Sequence, residues 1–282
     1  MRAVQFESFG GPEVLAVSEV AEPHASAGQI RVAVKAVGIN PVDWKFRQGM
    51  MGGDLPRGTG LEVAGVVDEV GDGVSDVSAG DEVFGSVEGG NGAADFALLE
   101  HYARIPPSLA FAAAAGLTVA VETAARTLDL VDVGEGQTVL INGAAGAVGI
   151  STVQLARERG ARVIGTASAA NHDYLRSFGA EPTTYGDGLV ERVRALAPDG
   201  VDRAIDDAGG GVLCIAARSV TVSGSASITA NGGANSSDGG GGGGGVVVVL
   251  STDPQPAALT VSAAGGGGAP HTGHAGFTNW LD

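Results

Sequence analysis

The chain has 282 residues, 44% of them hydrophobic, which is enough for two domains with sizeable cores. Its formal net charge is −16, from 16 Lys and Arg against 32 Asp and Glu. The cations are scattered, so the composition argues against binding to nucleic acid or anionic membranes.

The N-terminus, Met1-Arg2-Ala3-Val4-Gln5-Phe6, has no apolar core of the kind that a signal peptide needs. No apolar run reaches the roughly 18 residues of a membrane span, so a soluble cytoplasmic protein is expected. Residues 1 to about 110 read as β-rich, with short apolar stretches punctuated by Gly, Pro and Asp. The clearest are Ile30–Val37, Glu62–Val70, Asp81–Ser86 and Asp95–Leu99, and their spacing predicts a compact barrel or sandwich. A short helix is predicted over Asp43–Gln48, with Asp43 as its N-cap. From about Ser108 the pattern changes. Ala110–Leu130 is Ala-rich and reads as one helix. Strands at Thr138–Asn142, Arg162–Thr166 and Val201–Asp206 then alternate with helices at Ala147–Arg159, Asn171–Phe178 and Leu189–Leu196. That alternation predicts an α/β fold with a doubly wound parallel sheet.

Glycine dominates residues 209–282, where only Arg218, Asp238, Asp253 and Asp282 are charged. Gly239–Gly245 is unbroken, and the composition of this segment reads as a linker. Cys214 is the single cysteine, which excludes an intrachain disulfide and a multi-thiolate metal site; it reads as a small buried hydrophobe. His271 and His274 have no carboxylate or thiolate motif beside them, so no metal site is expected.

The chemistry-bearing segment is Val139-Leu140-Ile141-Asn142-Gly143-Ala144-Ala145-Gly146-Ala147-Val148-Gly149, in which an apolar strand runs into a turn of small residues, Gly143 to Gly149, and then into a helix. Gly143 suits a tight turn, Gly146 lets a pyrophosphate approach the backbone, and Gly149 lets the helix pack close to the sheet. The helix start supplies N–H groups and partial positive charge, so a dinucleotide is expected on this turn. The second strand ends at Gly165-Thr166-Ala167-Ser168 without the carboxylate that commonly holds a ribose 2′-OH. Ser168, with Asn171, His172 or Arg176, is therefore the expected seat of a 2′-phosphate, and NADPH is favoured over NADH. The competing reading of Ser168 and Asn171 is as N-caps of the next helix, and the two roles are compatible.

Several further motifs accompany that turn. They are Phe9-Gly10-Gly11-Pro12-Glu13-Val14-Leu15, Gly38-Ile39-Asn40-Pro41-Val42-Asp43-Trp44-Lys45, Glu62-Val63-Ala64-Gly65-Val66-Val67 and Ala115-Gly116-Leu117-Thr118. Together they make residues 1 to about 208 resemble the zinc-independent medium-chain dehydrogenases/reductases, the quinone oxidoreductase branch. The resemblance implies a GroES-like β-barrel domain over 1–110 and a Rossmann domain over 111–257. Part of 258–282 would return to the barrel, and the cofactor would lie in the cleft between the domains. The implied activity is hydride transfer from NADPH to a quinone or an α,β-unsaturated carbonyl. Two alternatives stay open: a sensory or structural NADPH-binding protein, and a thioester enoyl reductase. The zinc branch would need Cys where Asn40 stands and His where Leu61 stands.

The resemblance also assigns residues. It sets Asn40 near the nicotinamide and the substrate, where its amide would polarise a carbonyl oxygen; the competing reading is a turn-forming Asn before Pro41. It makes Trp44 a pocket wall, against a core aromatic. It makes Thr118 a nicotinamide-side contact, against a position inside an Ala-rich helix. Tyr185 matches a tyrosine near the adenosine phosphate. Asp207 and Ala208 match the loop that passes the nicotinamide ribose. The family often has Lys where Asn171 stands. A homodimer is the implied assembly. Only Ser227–Ala230, Leu259–Val261 and His271–Gly276 echo the family beyond residue 208.

Overall fold

The computed structural model describes residues 1–87 and 89–207, together with the backbone of five strands between 213 and 281. The chain divides into two compact units, Met1–Glu122 and Thr123–Asp282.

In the first unit the strands are β1 (Arg2–Phe6), β2 (Ala16–Glu19), β3 (Ile30–Gly38), β4 (Arg57–Gly58), β5 (Glu62–Val70), β6 (Glu82–Val87) and β7 (Phe96–Arg104). The helices are α1 (Pro41–Arg47), α2 (Phe111–Ala114) and α3 (Thr118–Leu130), which runs into the second unit. Strands β3, β5, β6 and β7 close into a barrel, while β1 pairs with β2 and β4 in a separate sheet. Alternate residues of the barrel strands point inward. Ile30, Val32, Val63, Val67, Val83, Val87, Ala97 and Leu99 form its core, as a period of two requires. The predicted barrel is thus the observed one. Strand β7 runs five residues past the predicted Leu99. Its polar half, Glu100–Arg104, has no apolar pattern to announce it and becomes strand by antiparallel pairing with β6, as in Val83 opposite Arg104.

The second unit carries β8 (Thr138–Asn142), α4 (Ala147–Glu158), β9 (Arg162–Thr166), α5 (His172–Ser177), β10 (Glu181–Thr183), α6 (Leu189–Leu196) and β11 (Arg203–Asp206). The four strands form a parallel sheet in the order β10-β9-β8-β11. Apolar side chains cover both faces. Val139, Ile141, Val153, Val163, Leu175 and Ile205 pack together, and Leu140, Ile164, Val193 and Ala204 belong to a second cluster. Such double burial explains why β8 and β9 read as nearly continuous apolar runs. The strand order reverses between β8 and β11, and in open α/β sheets ligand crevices lie at the carboxyl ends of such strands. Beyond residue 207, the strands are β12 (Leu213–Ala216), β13 (Ala226–Asn231), β14 (Val246–Leu250), β15 (Leu259–Ala264) and β16 (Phe277–Leu281). They pair in parallel, β12-β14-β16 and β13-β15. The apolar runs of this glycine-rich segment are therefore strands rather than linker. Ala208, Gly239–Gly245, His271 and His274 lie outside the described residues.

Two helices differ from the prediction. The first begins at Pro41, so Asn40 is its N-cap and Asp43 is its third residue. The expected helix over Ala110–Leu130 is two helices, broken at Ala115-Gly116-Leu117. Glycine inside a helix costs about 1 kcal/mol relative to alanine, which favours a break at Gly116.

Candidate functional site

Asn142 ends β8, and its side chain ties three strand ends together. Its Nδ2 donates to Asp206 Oδ1 on β11 at 2.7 Å, and its Oδ1 accepts from Thr166 Oγ1 on β9 at 2.5 Å. Thr166, fully buried, accepts in turn from the Gly143 N–H at 3.1 Å. The chain thus leaves the sheet at a point fixed from both sides. Gly143 turns with φ +73°, a conformation that glycine adopts without strain. Its carbonyl accepts from the Gly146 N–H at 3.0 Å, and the Ala144 N–H donates to the Thr166 carbonyl at 3.0 Å. Gly146 caps α4 in extended conformation and brings no side chain to the cap. Gly149 is buried in the first turn of α4, where an added Cβ would collide with the Gly143 carbonyl oxygen. The N–H groups of Ala147, Val148 and Gly149 open the helix. They have no intrahelical partners and sit at the positive end of its dipole.

A cavity of about 460 Å³ adjoins this turn, lined by Asn142, Gly143, Ala145, Gly146, Thr166, Ala167, Ser168, Asn171 and Tyr185. None of these residues is charged. Ser168 caps a single 3-10 turn and Asn171 caps α5, yet neither side chain makes a capping hydrogen bond. Both positions therefore serve as caps through their backbones, and both side chains border the cavity. Tyr185 is 60% exposed, on the loop after β10. Arg192 of α6 grips that loop: its Nη2 donates to the Thr184 carbonyl at 2.9 Å and its Nη1 to the Asp187 carbonyl at 2.8 Å. Two expected phosphate partners stand apart. Arg176 pairs with Asp173 at 2.6 Å. His172 begins α5 outside the cavity lining, with its Nε2 buried and without a partner among the described residues.

Asp207 follows β11, and its N–H donates to the Asn142 carbonyl at 2.9 Å. Its carboxylate turns toward α4 and accepts from the fully buried Thr152 Oγ1 at 2.7 Å. Burial pushes the Asp207 carboxyl above its usual range, the Thr152 hydrogen bond opposes this, and the charge of Asp206 adds to the rise.

The first unit holds a separate polar cluster. The Asn40 N–H donates to Asp43 Oδ2 at 2.7 Å, closing the first turn of α1. Asp43 is buried, and its Oδ1 accepts from Thr59 Oγ1 at 2.9 Å and the Gly60 N–H at 2.8 Å. The Asn40 side chain reaches β5, where its Nδ2 donates to Glu62 Oε1 at 2.7 Å. Glu62 Oε2 accepts from the Val119 N–H at 2.8 Å. Thr118 is the first residue of α3 rather than a mid-helix residue, and its hydroxyl is buried without a partner among the described residues. Trp44 lies partly exposed on α1, with the Lys45 ammonium 5.9 Å from its ring centre.

Comparison with known proteins bears on both units. The alcohol dehydrogenase GroES-like domain family matches residues 26–102, and the zinc-binding dehydrogenase family matches residues 147–240. The solved quinone oxidoreductase of Coxiella burnetii is 32% identical, with a TM-score of 0.66 over 77% of this chain and 75% of that one. The chain belongs to the quinone oxidoreductase-like medium-chain dehydrogenases/reductases. The quinone oxidoreductase of Rattus norvegicus is 39% identical over 175 residues, 60% of this chain and 53% of that protein. The chloroplastic NADPH-dependent alkenal/one oxidoreductase of Arabidopsis thaliana is 33% identical over 248 residues, 82% of this chain and 63% of that protein. The chain spans about half the length of the curated quinone oxidoreductases that it matches.

The turn of this family member fits a dinucleotide on three counts. It has a φ that suits glycine at Gly143, a close approach at Gly149 that only glycine permits, and an open cavity beside Gly146. The sequence reading missed the residues that fix the turn, Asn142 and Thr166, and those that fix Asn40, Asp43 and Glu62. A signal for the last existed: Glu62 is the one acid at the head of an apolar strand, Glu62-Val63-Ala64-Gly65-Val66-Val67. Among the described residues, no group of three or more His, Cys, Asp or Glu is placed to hold a metal ion, and no helix is long and apolar enough to cross a membrane.

Proposed function

We propose that the chain is an NADPH-dependent, zinc-independent oxidoreductase acting on a quinone or an α,β-unsaturated carbonyl. The observation that carries this reading is the glycine turn with its uncharged cavity, since a carboxylate in that lining would repel a 2′-phosphate. The opening N–H groups of α4 would hold the pyrophosphate, and Gly146 would admit it to the backbone. Ser168, Asn171 and Tyr185 would take the 2′-phosphate end. When bound, the reduced nicotinamide supplies a hydride.

Asn40 and Thr118 would serve the reacting end. Asn40 spends one N–H on Glu62 and keeps a second N–H. That second N–H is the donor that would polarise the acceptor oxygen, and solvent would supply the proton. Trp44 would wall the acceptor site. Asn40 and Leu61 stand where the zinc-dependent branch needs Cys and His; a neutral amide and a hydrocarbon make a poor donor set for zinc. The test is to follow loss of reduced-nicotinamide absorbance with a panel of quinones, enones and an enoyl thioester. Turnover of the first two supports the proposal. Turnover of the thioester alone redirects it to acyl substrates. Tight NADPH binding with no turnover overturns it in favour of a sensory or structural protein.

A further inference from the structure

We propose that Glu62 is a positioning residue for the reaction just described, on which this inference rests: one carboxylate locks the amide of Asn40 and starts helix α3 at Thr118. Glu62 is 1% exposed. A carboxylate this far from water is costly unless each oxygen is hydrogen-bonded. Both are bonded, to Asn40 Nδ2 and to the Val119 N–H, and neither partner is a cation. Its value to the fold is therefore not that of an ion pair. It offers two acceptors at two places that both present donors.

The surroundings are shaped to the carboxylate. Gly38 ends β3 two residues before Asn40, and a Cβ there would collide with Glu62 Oε1 and with the Ala115 carbonyl. Glycine is thus required to let the acid in. Two consequences follow from acceptor-only chemistry. First, Asn40 must turn Nδ2 toward Glu62, which fixes on which side its Oδ1 and its second N–H lie. Second, Leu117 precedes α3 and brings no polar side chain to cap it, so Glu62 performs the capping from β5. Its negative charge sits at the positive end of the helix. Thr118, the residue before Val119, is fixed by the same contact. One buried acid thereby sets two of the groups assigned to the reacting end, from elements 22 and 57 positions away in sequence.

Glu62→Gln tests this, because glutamine has nearly the same shape but offers one acceptor where two are needed. The Asn40 amide is then expected to turn over, reversing donor and acceptor. We expect kcat to fall about tenfold or more in an otherwise unaltered protein. In an Asn40→Ala background the same substitution is expected to change kcat by less than about twofold, because the effect runs through Asn40. Equal losses in both backgrounds would overturn the positioning role in favour of a purely structural one. A second readout needs no turnover. The Asn40 side-chain amide resonances, identified by their loss in Asn40→Ala, are expected to shift in Glu62→Gln, and unmoved resonances overturn the clamp. Wild-type protein that reduces no acceptor would sink the functional reading instead, with the Asn40 resonances still deciding the clamp.

Discussion

Alanine at Gly149 and alanine at Gly146 are expected to do different things, although the two glycines lie in one turn. At Gly149 an added Cβ would lie 2.8 Å from Ala144 Cα and 2.9 Å from the Ala144 carbonyl carbon, and closer still to the Gly143 oxygen. All are backbone atoms. Ala144 is fully buried and its N–H is bonded to Thr166, so the turn has no slack. Ordinary contact begins at 3.4 Å, so α4 must move by at least half an ångström, and by more to clear the oxygen. Overpacking costs about 1–3 kcal/mol, and a clash with three backbone atoms lies in the upper part of that range, which leaves a net loss of about 1–2 kcal/mol after a helix-propensity gain of about 1 kcal/mol at most. Gly149→Ala is therefore expected to lower Tm by roughly 2–8 °C. At Gly146 the nearest atom to an added Cβ is the Gly143 oxygen at 3.4 Å, and φ is −75°, which alanine adopts freely. Gly146 is the N-cap of α4, where alanine is disfavoured relative to glycine, so stability should fall by about 1 kcal/mol without any steric clash. The same Cβ would stand where the pyrophosphate approaches, so the Kd for NADPH should weaken about tenfold to a hundredfold, or roughly 1.4–2.8 kcal/mol. Thermal melts by circular dichroism and fluorescence titration with NADPH read the two effects separately. A Gly149→Ala protein that melts like the wild type, or a Gly146→Ala protein that binds NADPH normally, would refute the reasoning at that glycine.

Three further outcomes are expected. Asp207 holds its proton more tightly in the folded state than in the unfolded one, so its contribution to stability is full in acid and is lost as pH rises through its raised folded value. Asp207→Asn keeps an acceptor for Thr152 without the charge, and should raise Tm relative to wild type at neutral pH with no gain below the ordinary carboxylate range; a pH-independent gain would count against the burial argument. Ser168→Asp puts a carboxylate in the cavity lining and should weaken NADPH about tenfold or more while sparing NADH. An unchanged ratio of the two dissociation constants would remove the 2′-phosphate from this end of the site. Arg192→Lys cannot span the Thr184 and Asp187 carbonyls with one fork, so backbone hydrogen exchange in the Tyr185 loop should quicken and NADPH binding weaken a fewfold; exchange at the wild-type rate would show that the grip is unimportant.

The sequence by itself determined the barrel strands, the alternation of β8, α4 and β9, and the turn from Gly143 to Gly149. Each is a local signal: a period of two, a helix after an apolar strand, or glycines at set spacing. Those signals come from residues a few positions apart, and folding keeps them because the same apolar faces become the cores of the two units. Only the tertiary structure decided the rest. Half of β7 is strand because β6 pairs with it, not because Glu100–Arg104 looks like one. The break between α2 and α3, the third-residue place of Asp43 and the orientation of Asn40 all depend on partners far away in the chain. Asn142 meets Asp206 across 64 positions, and Glu62 meets Val119 across 57. A buried polar group must find a partner somewhere, but sequence pattern does not say where. The glycine turn was legible because it is built from neighbours; the groups that hold it and Asn40 in place were not, because the fold brings them from elsewhere.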